Sequence, residues 1–412
     1  MGFNPLTEKG IPLEKQLRNW SELNVQPYDK EQVAPYTRTR VIAMNGIEVE
    51  SIIFSHQFAR HTDNPEIKRA LAMTRRVEQQ QQKAVAWLAP GDETTLEHTI
   101  AYEQVAVDLT AYVARTEPDP YLKQVYDFGL LEDFDHLYRY ANLLDLLEGK
   151  KAERITRGLT EIMPGRPTID EHRHPFDDIR AHYDKHTVDP LSRLHALTIM
   201  SAEQQTMNFY MNMGNRYIEP IARALYLEIA MIEEQHVTQY ESLLDPLESW
   251  FQQEVFHHYN ECYLYHSFMS QEPDPRIRAI WELHLGMEIE HLRMACEMMR
   301  RYEGIEAEEI LPAELPEPTL FQENKDYVRQ VLASQVDLRA IGAQFIPLDQ
   351  MPEDAKYFEY QEAVNGGGFV PSEQVIDDHI AAFGGDYRDM PGGPHPVEQQ
   401  QQPSARTAGG RK

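Results

Sequence analysis

From about Arg40 to Gly304, apolar residues recur every three to four positions, and Pro-containing caps mark where the pattern restarts. A first helix is predicted from about Arg40 to Arg60, and Asn64-Pro65 opens a second that runs to about Leu88. A third runs from about Thr95 to Arg115, and Asp119-Pro120 starts a fourth ending near Gly149. Residues 150–188 read as a linker, after which Asp189-Pro190, Pro220, Asp245-Pro246 and Asp274-Pro275 each open a further helix, the last ending near Gly304. The expected fold is all-α, with two tandem four-helix bundles at 40–149 and 189–304. Leu88 to Thr95 and Leu244 to Pro246 are too short to run the length of a bundle, which favours up-down-up-down connections.

The flanks are less regular. Residues 1–39 form an arm broken by Pro5, Pro12, Pro27 and Pro35, with Trp20, Tyr28 and Tyr36 as anchors. Residues 305–383 form an extension, with a helix from about Gln322 to Arg339 and short helices near 353–363 and 372–383 around Gly366-Gly367-Gly368. From Gly384 to Lys412 the chain is rich in Gly, Pro and Gln, and is expected to be a disordered tail suited at most to docking a partner.

Within the helical region one phrase recurs. Pro65, Pro120, Pro220 and Pro275 are each followed thirteen residues later by an acid: Glu78, Asp133, Glu233 and Glu288. Three residues further on lie Gln81, His136, His236 and His291, one turn along the same helix face. Thirty residues before each paired acid stand Glu48, Glu103, Glu203 and, in the fourth copy, His258 with Glu261 one turn later. The repeat is therefore a pair of helices carrying acid, then acid-x-x-His.

In the second bundle these polar residues share the apolar stripe. Ile221, Leu225, Ile229, Ile232 and Tyr240 lie on the broad face that holds Glu233 and His236. Ile277, Trp281, His284, Glu288, His291 and Ala295 succeed one another at steps of three and four. Carboxylates aimed into a core are costly and repel one another, and divalent metal ions remove both penalties. Mixed carboxylate and imidazole donors suit iron or manganese, with zinc also compatible.

Composition narrows the setting. There are 39 basic and 67 acidic residues, a net charge of −28, which argues against nucleic acid and anionic membrane surfaces as partners. Two cysteines, Cys262 and Cys296, cannot make a four-thiolate iron site, and as buried free thiols they suit a reducing, cytoplasmic setting. No secretory signal pattern or membrane-length apolar run is visible. The linker histidines His172, His174, His182 and His186 read as part of a solvated loop.

The pattern resembles the ferritin-like di-iron carboxylate proteins, which take one Glu from each of two helices and Glu-x-x-His from the other two. The resemblance covers the two bundles, and it implies Glu203, Glu233, His236, Glu288 and His291 as metal ligands, with His258 or Glu261 completing the set and Glu254 a weaker candidate. In the first bundle it matches Glu48, Glu78, Gln81, Glu103, Asp133 and His136. Gln81 in place of His and Asp133 in place of Glu imply weak metal binding, a single ion, or a site held by hydrogen bonds.

The leading expectation is an oxidoreductase with two iron ions, or iron and manganese, activating dioxygen or peroxide in the second bundle and fed by an external electron donor. Tyr210 and Tyr226 would supply hydrogen bonds or electrons, or serve simply as core. The alternatives are an iron-storage protein in a homo-oligomeric cage, and a metal-free scaffold whose buried acids pair with Arg223 and Arg278.

Overall fold

The computed structural model describes residues 2–401. Eight long helices dominate it: α1 (Pro35–Arg60), α2 (Pro65–Ala86), α3 (Thr95–Thr116), α4 (Pro120–Glu148), α5 (Pro190–Met213), α6 (Pro220–Glu241), α7 (Trp250–Gln271) and α8 (Pro275–Glu303). Their ends follow local chemistry. Asn64, Asp119, Asp189 and Asp274 accept hydrogen bonds from first-turn amides, and the proline that follows each has no amide to lose there. Thr94 with Glu97, and Ser249 with Gln252, form reciprocal capping boxes. Gly149 and Gly304 close α4 and α8 in the left-handed conformation. The helix expected from Asp245-Pro246 starts instead at Trp250, because Asp245 accepts from the amides of Lys185 and Leu247 and so builds a turn.

The helices form four hairpins, α1–α2, α3–α4, α5–α6 and α7–α8, but these do not associate half by half. The first packs with the fourth, α1 against α7 and α2 against α8, and the second with the third, α3 against α5 and α4 against α6, while α1 also lies against α3 and α5. The expected bundles at 40–149 and 189–304 are therefore replaced by an outer four-helix group (α1, α2, α7, α8) with an inner group (α3 to α6) inserted in its chain path. The groups meet where α1 crosses α5: Gln205 donates to the Ile42 carbonyl at 3.0 Å, and a side chain at Gly46 would crowd Gln205 and the Ser201 carbonyl. The central helices require this wrapping. Every residue of α3 from Thr99 to Ala114 is buried, and so is every residue of α4 from Val125 to Asp145, so a single neighbouring hairpin cannot cover them.

The linker joins α4 to α5 as a long crossover with two one-turn helices, Glu153–Thr156 and Thr168–Glu171. Hence the inner group does not have the short up-down-up-down connections expected. Downstream, α9 (Lys325–Gln335) ends before the expected Arg339, because Leu338–Ile341 (β1) pairs antiparallel with Gln344–Pro347 (β2). Two short helices, α10 (Lys356–Asn365) and α11 (Pro371–Phe383), follow, and Ser372 at the start of α11 donates its amide to Glu228 of α6 at 2.7 Å.

The segment from Gly384 to Gln401, expected to be disordered, lies on the body. Asp389 bridges Ile162, the Tyr387 amide donates to Asn142 at 2.7 Å, and buried His395 donates to the Pro164 carbonyl. The remainder of that tail, 402–412, lies outside the described residues. In the arm, Tyr28 is buried and Tyr36 stacks near Phe321, whereas Trp20 is 84% exposed and anchors nothing. No helix among the described residues is long and apolar enough to cross a membrane.

One contact tests how tightly the crossover presses on α4. A Cβ at Gly165 would fall 2.3 Å from the Leu131 carbonyl and 2.8 Å from the Asp135 amide, both rigid backbone. Gly165→Ala is expected to cost about 1–3 kcal/mol in urea unfolding. Gly91→Ala, with nothing near its added carbon, should stay within about 0.5 kcal/mol of wild type.

Candidate metal centres

Crossed pairing of hairpins creates two clusters of buried acids and histidines. In the inner group, Glu103 comes from α3, Asp133 and His136 from α4, Glu203 from α5, and Glu233 and His236 from α6. Donor atoms of Asp133, Glu203, Glu233 and His236 lie within 4.8 Å of one another, as do those of Glu103, His136 and Glu233. Glu233 belongs to both sets and stands between them. His136 Nδ1 is 3.1 Å from Glu233 Oε1, and His236 Nδ1 is 3.3 Å from Glu233 Oε2 and 3.4 Å from Asp133 Oδ1.

The outer cluster takes Glu48 from α1, Glu78 and Gln81 from α2, His258 and Glu261 from α7, and Glu288 and His291 from α8. Glu78, His258, Glu288 and His291 present donor atoms within 4.8 Å of one another. His258 Nδ1 is 3.1 Å from Glu288 and 3.2 Å from Glu261, so both candidates on α7 face the same centre. Gln81 donates to Glu288 at 2.9 Å. Glu254 lies behind His258, 3.5 Å from Nε2, on the side away from Glu288.

All four imidazoles turn Nδ1 toward a cluster carboxylate, and an acceptor lies near each Nε2. Glu171 is 2.9 Å from His136 Nε2, Glu132 is 2.7 Å from His236 Nε2, and the Gln16 carbonyl oxygen is 2.7 Å from His291 Nε2. Outer acceptors of this kind fix the tautomer of metal-ligating histidines. Glu132 is held in turn by Arg166 at 3.2 Å and Arg173 at 2.9 Å. Burial works against its charge, but Arg173, His236 and Arg166 prevail and hold its carboxyl well below the usual range.

The sequence pattern did not single out Glu132, Glu171, Arg166, Arg173 or Gln16. They lie beside the repeat, in the crossover and in the arm, where periodicity carries no signal. Of the linker histidines, His172 is buried 3.5 Å from Glu228, His182 and His186 are exposed, and none joins either cluster. Arg223 and Arg278, suggested as counter-charges, donate instead to backbone carbonyls, of Asn215 and Glu272. Cys262 is buried and Cys296 partly so, both free.

Two tyrosines complete the clusters. Tyr210, seven residues after Glu203, donates to Glu103, and Tyr265, seven after His258, donates to Glu48. Tyr226 donates or accepts at Thr99 and touches neither cluster's ligands.

The remaining polar atoms test the fit to metal. Both oxygens of Asp133, and one each of Glu48, Glu78, Glu103, Glu203 and Glu261, are buried with no hydrogen-bond partner. Buried polar groups are rarely left so, and an ion is one of the few things that explains several at one point. Burial pushes Glu48, Glu103, Asp133 and Glu261 well above the ordinary carboxyl range, helped by neighbouring carboxylates, and Glu203 and Glu78 to about 7. Burial opposes protonation of His136, His236 and His258, but the carboxylates around them outweigh it and raise all three. Each cluster is thus a set of four carboxylates and two imidazoles that can hold metal ions in place of protons.

No protein-family model, curated protein or solved structure matches this chain.

Two outcomes follow for metal-free protein. Raised folded-state values mean that the folded chain holds protons the unfolded chain releases, so this part of its stability is present at low pH and is lost as pH rises. Between pH 5 and 8, above the depressed Glu233 at about 2, thermal unfolding of chelated protein should move to lower temperature as pH rises. Metal-loaded protein should not show that slope, and metal uptake should release protons to the buffer. The crossed pairing also predicts that residues 40–149 or 189–304 alone bind no metal tightly by equilibrium dialysis. Either fragment retaining the full metal complement would rule out crossed assembly.

Proposed function

We propose that this chain is a ferritin-like dinuclear carboxylate protein that holds iron, or iron and manganese, and acts as an oxidoreductase on dioxygen or peroxide. The observation that carries the reading is the donor set of the inner cluster: four carboxylates and two Nδ1-facing imidazoles from four helices, with Glu233 shared. Two divalent cations neutralise four carboxylates with both imidazoles uncharged, which removes the repulsion and desolvation that the bare cluster carries. The outer cluster has the same count, because Glu261 and His258 on α7 make up for Gln81 on α2. The long α4–α5 crossover also suits a ferritin-like bundle, which has one long crossover.

When bound, the metal pair supplies the redox capacity for reducing dioxygen or peroxide. The protein's own residues do the rest. Glu132 and Glu171 orient the two inner imidazoles and make them stronger donors. Tyr210 and Tyr265 hold protons against Glu103 and Glu48. Buried Leu225, Ile229 and Ile232 keep water from the inner site.

The test is metal content on protein purified without chelator. Wild type should carry about four ions per chain, and Glu233→Ala and Glu288→Ala about two each, one cluster emptied at a time. Absence of metal after anaerobic iron(II) addition would overturn the reading. Loading far beyond two ions per cluster would turn it into storage.

A further inference from the structure

A cavity of about 220 Å³ lies beside the outer cluster, between α2 and α8, with the arm as its third wall. Val77, Ala84, Leu283 and Met287 give it apolar sides, Leu23 and Val25 of the arm add to them, and Arg18 and Glu22, paired at 3.3 Å and part-exposed, stand in the wall on the arm's side. For scale, an apolar cavity of about 150 Å³ accepts benzene. The arm is firmly seated: the Ile11 amide donates to the Gly286 carbonyl at 2.7 Å, and Gln16 donates to the Met287 carbonyl while facing His291.

The cavity reaches the cluster through three polar residues in its wall, Gln16, Gln81 and His284. Gln81 spends its amide nitrogen on Glu288, and its buried oxygen has no partner. His284 Nδ1 lies 3.0 Å from the Tyr265 hydroxyl. With Glu48 ionised against metal, that hydroxyl gives its one proton to Glu48, so His284 Nδ1 is the donor to it, which leaves Nε2 as an acceptor. Burial depresses His284 to about 3, so the ring is neutral. An imidazole acceptor in the wall of a chamber with mainly apolar sides calls for one hydrogen-bond donor on an uncharged body.

We propose that this cavity binds a small uncharged phenol or alcohol, one ring or short chain in size, as the organic substrate of the outer cluster. The proposal rests on the dinuclear reading for the word substrate, but the binding site rests on the cavity alone. Its hydroxyl donates to His284 Nε2, and its apolar part fills the space between Val77 and Leu283.

The experiment is calorimetric titration of the full, iron(II)-loaded chain with 4-ethylphenol under anaerobic conditions, with metal content read on the same samples. Binding of one molecule per chain is expected. Leu283→Trp, which fills the chamber, and the milder Ala84→Leu should each weaken it by about tenfold or more with metal unchanged. 4-Ethyltoluene, which lacks the hydroxyl, should bind about tenfold more weakly than 4-ethylphenol. Metal-loaded wild type that fails to bind, or binding equal in both variants, would overturn the cavity assignment, and equal binding of the two probes would overturn the hydroxyl contact. Wild type without metal is the separate failure of the dinuclear reading.

Discussion

Eight carboxylates buried in two groups of four are the constraint from which the rest of this structure follows. A carboxylate in a helical core is tolerated only when its charge is met. Here direct arginine partners reach Glu132, behind the inner cluster, while oxygens of Asp133, Glu48, Glu103 and Glu261 face a centre with no protein donor left to offer. The architecture serves that demand. Four helices must bring their acids to one level, and each hairpin brings only its own two.

That is why the hairpins pair across the chain rather than along it. Each hairpin is an incomplete site, and two of them close one. Pairing the first with the fourth leaves the second and third to each other, and the crossover from Gly149 to Asp189 has the length to carry α5 back to α3. The outer cluster shows how the donor count tolerates change. Gln81 stands where the other copies have His, and His258 stands where the others have Glu, with Glu261 one turn on. Within either half these look like losses. Once α2 and α7 face the same centre, one imidazole has moved from one helix to the other and the tally of four acids and two imidazoles is restored.

Much of this was legible in the sequence, and the part that was not has a physical cause. Prolines, caps and glycines set the eight helices to within a few residues, and the thirteen-residue spacing identified Glu78, Asp133, Glu233 and Glu288 before any fold was known. Helix pairing was not legible, because α3 and α4 are buried on every side and their patterns point to no particular partner. Assigning bundles by proximity in the chain therefore made Gln81 and Asp133 look like parts of one weakened site. They belong to different clusters, and Asp133 sits with a full complement. Residues such as Glu171 and Arg173 in the crossover, or Gln16 in the arm, act at single points and leave no repeat to detect.

The two clusters share a donor count but differ in what stands behind it. The inner one is backed by Glu132 and Glu171, with Arg166 and Arg173 filling the space beyond, all fully buried. Glu132 and Glu171, so placed, orient the two inner imidazoles. The outer one is backed at His291 by a neutral glutamine from the arm, and its other flank is a chamber with mainly apolar sides and the Arg18–Glu22 ion pair in its wall. A duplicated pair of sites has little reason to diverge in this way if both do the same work. Charge packed against one and a mainly apolar chamber beside the other are the difference on which the proposed organic ligand of the outer cluster rests.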